Sequence, residues 1–418
     1  MSFSIALSGL NASNSELNTI SNNIANVSTT GFKESRTEFA SVYSGSEAGG
    51  VEVVGVSQNF EKSGTVTGTG RSLDMALSGN GFFVLEDNKG QTLYTRSGIF
   101  NMNADGQIIA NNGAALKGYS VDENNNLMLG SVGTVQISTA SLQAEATDRI
   151  DFVANLDARE NVPTSAAFDP TDSNSYNHSY TTPVFDSLGN PHTVSQYFVK
   201  TANTNEWNLY VYVDGVQADL DGSGVVDAAD VETVVFGSDG TLDLNPVSAP
   251  SNTLTADGSY SIPVTLAPVA NNLNINVSLA SITQYGSDFV VSKNSPNGYT
   301  SGDYASVRME NDGRIYATYT NGQSQLQGQV VLANFASPQN LIKTSDTAWL
   351  QSFSSGTPVL GTAGSGVFGD LTSGALEGSN VDLTSELVAL MTAQRNYQAN
   401  TKSISTSDQL TQALFNVV

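Results

Sequence analysis

The residues with the clearest chemical spacing are Asp219, Asp221, Ser223, Gly224, Val225, Asp227 and Asp230. They occupy the first, third, fifth, sixth, seventh, ninth and twelfth places of an EF-hand-type loop, a pattern that surrounds one Ca²⁺ with oxygen. Carboxylates of Asp219, Asp221 and Asp230, oxygen donors on Ser223 and Asp227, and the Val225 carbonyl would be the ligands, while Gly224 permits the sharp turn. Ser223 at the fifth place and the short Asp230 at the twelfth lower the expected affinity. The competing reading is an acidic glycine turn between two strands. The segment after the loop, Ala228 to Val234, is helix-compatible.

Catalysis has little support. His178 and His192 are the only histidines, both near expected turns, and His192 follows Pro191 as a strand entrance would. Asp and Glu fall mainly in turns, where solvation is the default. Gly79-Asn80-Gly81 and the glycines from Gly64 to Gly70 lack the strand-loop-helix setting and the Lys of a phosphate loop. Lys33, Arg36, Arg71, Arg96 and Arg395 are isolated, which suits specific salt bridges between subunits better than a polyanion groove. With a net charge of -24, nucleic acid and anionic lipid are poor partners. Cys is absent, so no disulfide framework exists. No basic, apolar signal peptide opens the chain, and no run approaches the roughly 20 apolar residues of a membrane span.

The elements around these residues are mainly β. Only 13% of the 418 residues are charged, Gly, Ser, Thr and Asn abound, and Tyr and Phe number 15 and 17, a profile of β-rich domains with tight turns. The two ends differ. Phe3, Leu10, Leu17 and Ile24 recur every seven residues with Ala6, Ser13, Ile20 and Val27 between them. At the other end Leu383, Leu390, Tyr397 and Ile404 share a helix with Leu387, Gln394 and Thr401, and beyond Ile404 the register drifts through Leu410, Leu414 and Val417. Both read as thin coiled-coil seams, predicted to meet, and marginal as isolated helices in water. The glycine-rich connector from Ser28 to Gly70 is expected to hold only short extended pieces, as a fixed arm or a flexible linker.

The wording of these segments carries a resemblance. Asn22-Asn23-Ile24-Ala25-Asn26-Val27, Thr30-Gly31-Phe32-Lys33, Gly374 to Leu383 and Ala393-Gln394-Arg395-Asn396-Tyr397-Gln398-Ala399-Asn400 together resemble the terminal signatures of the bacterial flagellar axial proteins, the rod and hook family. Leu73 to Leu77, Gly79 to Val84, Tyr94 to Phe100 and Gly328 to Phe335 are similar to the family's hairpin region and closing strand. The resemblance covers about residues 1–145 and 285–418, and the middle matches no motif of the family. A large interposed β domain looks like the hook-forming branch, with a distal rod protein, or outside the family a calcium-dependent cell-surface adhesive β protein, as alternatives. The loop at Asp219 is also similar to half of a dockerin-like calcium site.

The expected architecture is mainly β with terminal α-helices: 1–30 with 372–418 as the helical, coiled-coil domain, 31–70 with 358–371 as connector, 71–147 with 286–357 as a discontinuous inner β domain, and 148–285 as an inserted outer β sandwich or barrel carrying the loop 219–230. The resemblance implies a structural subunit and not an enzyme. Its assembly residues would be Phe3, Leu10, Leu17, Ile20, Ile24, Val27, Leu383, Leu387, Leu390, Tyr397 and Ile404. It further implies an extracellular homopolymer, a flexible tube that transmits torque, exported by the flagellar type III apparatus. Partners would be rod and hook-filament junction proteins and the hook cap, and Ca²⁺ is the one cofactor the sequence itself raises.

Overall fold

Both chain ends fold as the heptad spacing predicts, in helices whose polar residues find partners close by. The computed structural model describes residues 2–44, 47–122, 125–165, 167–227, 230–244, 254–266 and 270–417. Helix α1 spans Ser2–Ala25 and α2 spans Leu383–Val417. Asp382 caps α2, its Oδ1 accepting the Ser385 N–H at 2.7 Å, and Glu386 adds an acid to the first turn, where the helix dipole favours one. Along α2, hydroxyls of Thr392, Thr401, Ser403, Thr406 and Thr411 donate to the carbonyl four residues back, so they are satisfied without a partner element. The helix continues past Ile404; the side chains of Leu414 and Val417 lie outside the described residues.

The connector does not consist of short pieces. It forms β1 (Ser35–Ser44) and β2 (Glu47–Gln58), an antiparallel pair with irregularities after Glu38 and Val42. The glycines that argued against long strands allow close approach instead. Gly50 has φ +110°, and a Cβ there would lie 2.1 Å from Ser8 Oγ of α1, so only glycine lets β2 rest on the helix.

The chain divides into two units: Met1–Thr139 with Ala305–Thr318 and Ser324–Val418, and Ala140–Tyr304 with Tyr319–Gln323. In the first, strands from distant segments alternate in one sheet, in the order Arg314–Tyr319, Ser324–Val330, Ala115–Val121, Phe82–Glu86, Thr92–Thr95 and Ala348–Leu350. Late strands Asp370–Ser373 and Ala375–Glu377 pair with Met75–Ser78 and Val66–Gly68. Edge-to-face aromatic contacts fill the core beneath: Phe60 to Phe82 and to Trp349 at 5.4 Å, and Tyr94 to Phe335 at 4.7 Å.

The second unit is a sandwich of two five-stranded sheets. Phe152, Ile262 and Ile275 from one sheet and Phe198, Trp207 and Leu209 from the other share one core. Polar side chains bond across that core: Gln196 Nε2 donates to Tyr260 Oη at 2.6 Å and Trp207 Nε1 to Gln284 Oε1 at 3.0 Å. The outward tyrosines of the second sheet are also covered, with Phe168 stacked on Tyr210 at 4.0 Å, which explains why apolarity there falls on both strand faces. The unit extends beyond the expected limits of 148–285. Strand Val290–Pro296, expected in the inner domain, pairs with Arg149–Asp157 and closes this sheet instead. Leu142 and Gly302 exchange backbone hydrogen bonds of 2.8 and 3.0 Å, so the chain enters and leaves the unit on adjacent paths.

Candidate assembly surface and acidic loop

α1 and α2 pack against each other; of the predicted seam, Ala6, Ser13 and Ile20 of α1 are buried, while the larger row from Phe3 and the seam of α2 are not. The buried face of α1 consists of Ala6, Ala12, Ser13, Ile20 and Asn23, and that of α2 contributes Glu386 and Ala393. At Gly9 a Cβ would sit 2.9 Å from the Asn400 side-chain amide. Of the predicted assembly residues only Ile20 is buried. Phe3 is 51% exposed, Leu383 and Leu387 45% and Tyr397 36%, while Leu10, Leu17, Ile24, Val27, Leu390 and Ile404 are half-buried. The stripes were expected to meet each other. Small and polar residues dominate the contact, because they let the backbones approach and bond, and Phe3, Leu383, Leu387 and Tyr397 are left outward. Ile5, Leu7, Val388 and Met391 extend this exposed set and were not singled out from the sequence, since they lie off the heptad positions.

Where the helices join the β structure, the chain is held by buried hydrogen bonds. Asn23 Nδ2 donates to the Ser35 carbonyl at 2.8 Å and to Glu386 Oε1 at 3.1 Å, and its Oδ1 accepts the Ser35 N–H at 2.9 Å. Asn380 accepts the Glu34 N–H at 2.7 Å and donates to the carbonyls of Asn59 and Lys62, both at 2.9 Å. Glu377, fully buried, receives Lys33 Nζ at 2.8 Å, the Gly64 N–H at 3.0 Å and Arg96 Nη1 at 3.5 Å. Burial, reinforced by the Arg96 charge, lowers the Lys33 pKa against the pull of Glu377. Burial likewise lowers that of Arg96. Gly31, at φ +71°, donates its N–H to the Glu377 carbonyl at 2.8 Å. The connector is a fixed arm within its unit.

Most of the isolated basic residues are therefore spent within the chain. Lys33 and Arg96 share Glu377, Arg36 pairs with Glu38 at 2.8 Å, and Arg71 lies 3.7 Å from Asp74. Among the described residues Arg395 has no carboxylate partner; its guanidinium reaches only Thr392 Oγ1 at 3.5 Å.

In the acidic loop, oxygens of Asp219, Asp221 and Asp230 lie within 4.8 Å of one another. Asp219 accepts backbone N–H groups of Gly222, Ser223 and Gly224, and Asp230 those of Leu220, Asp221 and Asp227. Bonds from the Ser223 N–H and hydroxyl hold the Asp221 carboxyl below the ordinary carboxylate range. Ser223 Oγ donates to the Val225 carbonyl at 3.0 Å, and Asp227 lies outside the three-carboxylate cluster. Buried Ala218 and Leu220 anchor the loop in the sandwich core. From Glu232 the helix-compatible segment is a strand instead: Glu232–Val235 pairs with Glu206–Leu209, as the β-branched Thr233, Val234 and Val235 favour. Ala228 and Ala229, the start of that segment, lie outside the described residues.

The histidines belong to the sandwich. His178 stacks on Phe289 at 4.4 Å and on Trp207 at 5.8 Å, and His192 contacts Asp214 at 2.6 Å and Asp186 at 3.6 Å.

Terminal helices joined through a fixed arm to a two-segment β domain with an inserted sandwich define a flagellar axial protein, and comparison with known proteins agrees. Family models match along the chain: "Flagella basal body rod protein" at residues 3–33, "Flagellar hook protein FlgE/F/G D1 domain" at 76–147, "Flagellar basal body protein FlaE D2 domain" at 155–299 and "Flagellar basal body rod FlgEFG protein C-terminal" at 372–417. The middle of the chain, whose wording carries no motif of the family, is thus also a family domain. The chain is 39% identical to the flagellar hook protein FlgE of Salmonella typhimurium over 427 residues and to that of Escherichia coli over 420, covering all of each, and 30% identical to that of Treponema pallidum, covering 97% of this chain and 96% of the relative. The crystal structure of Helicobacter pylori flagellar hook protein FlgE2 shares the fold, with a TM-score of 0.51 at 13% identity over 74% of this chain and 100% of that one. The chain belongs to the flagellar hook protein family.

Proposed function

We propose that this chain is the repeating subunit of the flagellar hook, a tube outside the cell that bends while passing torque from rod to filament. The helices line its inside, the two-segment β domain forms the wall and the sandwich faces outward. One observation carries this reading. Large apolar residues, Phe3, Ile5, Leu7, Leu383, Leu387, Val388 and Met391, stand outward from helices that join each other through small and polar side chains. Such a surface calls for neighbours. Contacts without deep interlocking suit subunits that pass through many arrangements of similar energy. Rod and junction proteins, the hook cap and the type III export apparatus are the partners this role requires. The relatives' names do not favour the distal rod or the adhesive alternative. Electron microscopy of the full chain tests the reading: curved tubes are expected, lost when residues 1–30 and 372–418 are removed while the β structure stays folded. Persistent monomers under every polymerising condition overturn it.

We also propose that the acidic loop takes Ca²⁺, held by Asp219, Asp221, Ser223, Asp227, Asp230 and the Val225 carbonyl. The closeness of three carboxylates supports it, since a cation would relieve their mutual repulsion. Calorimetric titration of the full chain should show saturable calcium uptake that Asp221→Ala weakens. Absence of heat at millimolar calcium ends this proposal and leaves the subunit reading intact.

A further inference from the structure

A cavity of about 170 Å³ opens where α1, α2 and β1 meet, lined by Glu16, Asn23, Glu34, Arg36 and Glu386 among others. Glu386 is only 7% exposed. Its Oε1 accepts from Asn23, but its Oε2 is buried without any hydrogen-bond partner. A carboxylate oxygen withdrawn from water and left unbonded is a costly arrangement, and Glu16 and Glu34 bring two further acids to the same cavity. Arg36 lines the cavity as well, yet its guanidinium is committed to Glu38.

The missing cation is found on the same helix, facing the other way. α1 carries no Lys or Arg, and α2 carries only Arg395 and Lys402. Arg395 is exposed and unpaired with any carboxylate among the described residues. Glu386 and Arg395 are nine positions apart, about two and a half turns at ~3.6 residues per turn, so they occupy opposite sides of α2. No pairing within one chain is possible.

Resting on the subunit reading, we propose that Arg395 of a second copy enters this cavity and pairs with Glu386. The planar guanidinium offers a fork of donors that matches a carboxylate, with Glu16 and Glu34 completing an acidic surround. Because donor and acceptor lie on opposite faces, the contact is heterologous. Each copy gives its arginine to one neighbour and receives another from the next, and repetition builds an open array rather than a closed dimer.

The test uses the full-length chain. Arg395→Gln alters an exposed side chain, so the monomer should keep its circular dichroism and melting temperature while the protein concentration needed for polymerisation rises at least tenfold, with Arg395→Lys intermediate. The natural chain has no cysteine, so in a mixed polymer of Glu34→Cys and Arg395→Cys chains a short bifunctional thiol-reactive crosslinker, which spans the missing arginine, should give a linked pair containing one of each. Wild-type polymers with unchanged assembly of Arg395→Gln, or with no mixed crosslinked pair, overturn the pairing alone. Assembly of Arg395→Gln that depends on an added metal ion places a free cation in the cavity and overturns it too. Failure of the wild-type chain to polymerise overturns the subunit reading, and this pairing with it.

Discussion

Lys33 Nζ lies 2.8 Å from Glu377 Oε1 with both side chains essentially out of solvent, and Arg96 shares the other oxygen of that carboxylate. Two cations on one anion leave a net positive charge inside the junction between helices and β domain. Glu377 is thus the member whose loss strands the most charge. Glu377→Gln should destabilise the first unit by about 3–5 kcal/mol, the range for breaking a buried ion pair, whereas Lys33→Met should cost less because the Arg96 contact survives. Urea unfolding of each variant checks the order, and equal losses would contradict it.

Glu386 predicts a pH dependence of the opposite sign to an ordinary salt-bridged acid. Burial first, and then the charge of Glu34, raise its pKa despite the Asn23 bond. The native monomer therefore holds this proton more tightly than the unfolded chain does, and its contribution to stability falls as pH rises from the unfolded value of 4.5 through the folded one. Glu386→Gln, neutral at every pH, should raise the monomer's melting temperature at pH 7 and lose that advantage near pH 4. A constant difference across pH would refute the sign.

The two faces of the helices should respond differently to substitution. Ala393 is 1% exposed in the α1–α2 contact, so Ala393→Leu overpacks it and should cost the monomer about 1–3 kcal/mol. Met391→Ser, on the outward face, should leave monomer melting unchanged and weaken assembly. Thermal melts alongside sedimentation separate the two effects.

The histidines should titrate in opposite directions. Burial lowers the pKa of His178, while bonding to Asp214 raises that of His192. His192 thus stabilises the sandwich below pH 6.5 and loses that contribution as pH rises through its folded pKa; His178 withdraws stability as pH falls through its own. With only two imidazoles in the chain, an NMR titration reads both, and a reversed order would overturn the assignment.

Local pattern revealed the helices and the acidic loop, whose chemistry is set by neighbours in sequence. It placed Ala6, Ser13 and Ile20 in the buried seam of α1, but not the buried face of α2, because Phe3 and Leu387 look alike whether they face their own chain or a neighbour's. Asn23 and Glu386 carry no signal of meeting until folding brings them together. Glycine content misled at the connector, where Gly50 serves contact with Ser8 rather than chain freedom. Pairing of Arg149–Asp157 with Val290–Pro296 spans too much sequence for any periodicity to announce, and so the insert's end was placed too early.

The paired hydrogen bonds of Leu142 and Gly302 hold the two ends of the sandwich's main segment side by side. Such an excursion can be excised and its stumps rejoined by a short loop, or exchanged for a larger or smaller module, without lengthening the path of the remaining chain. The size of this module can then vary among relatives while the terminal helices and the two-segment β domain keep their own internal contacts.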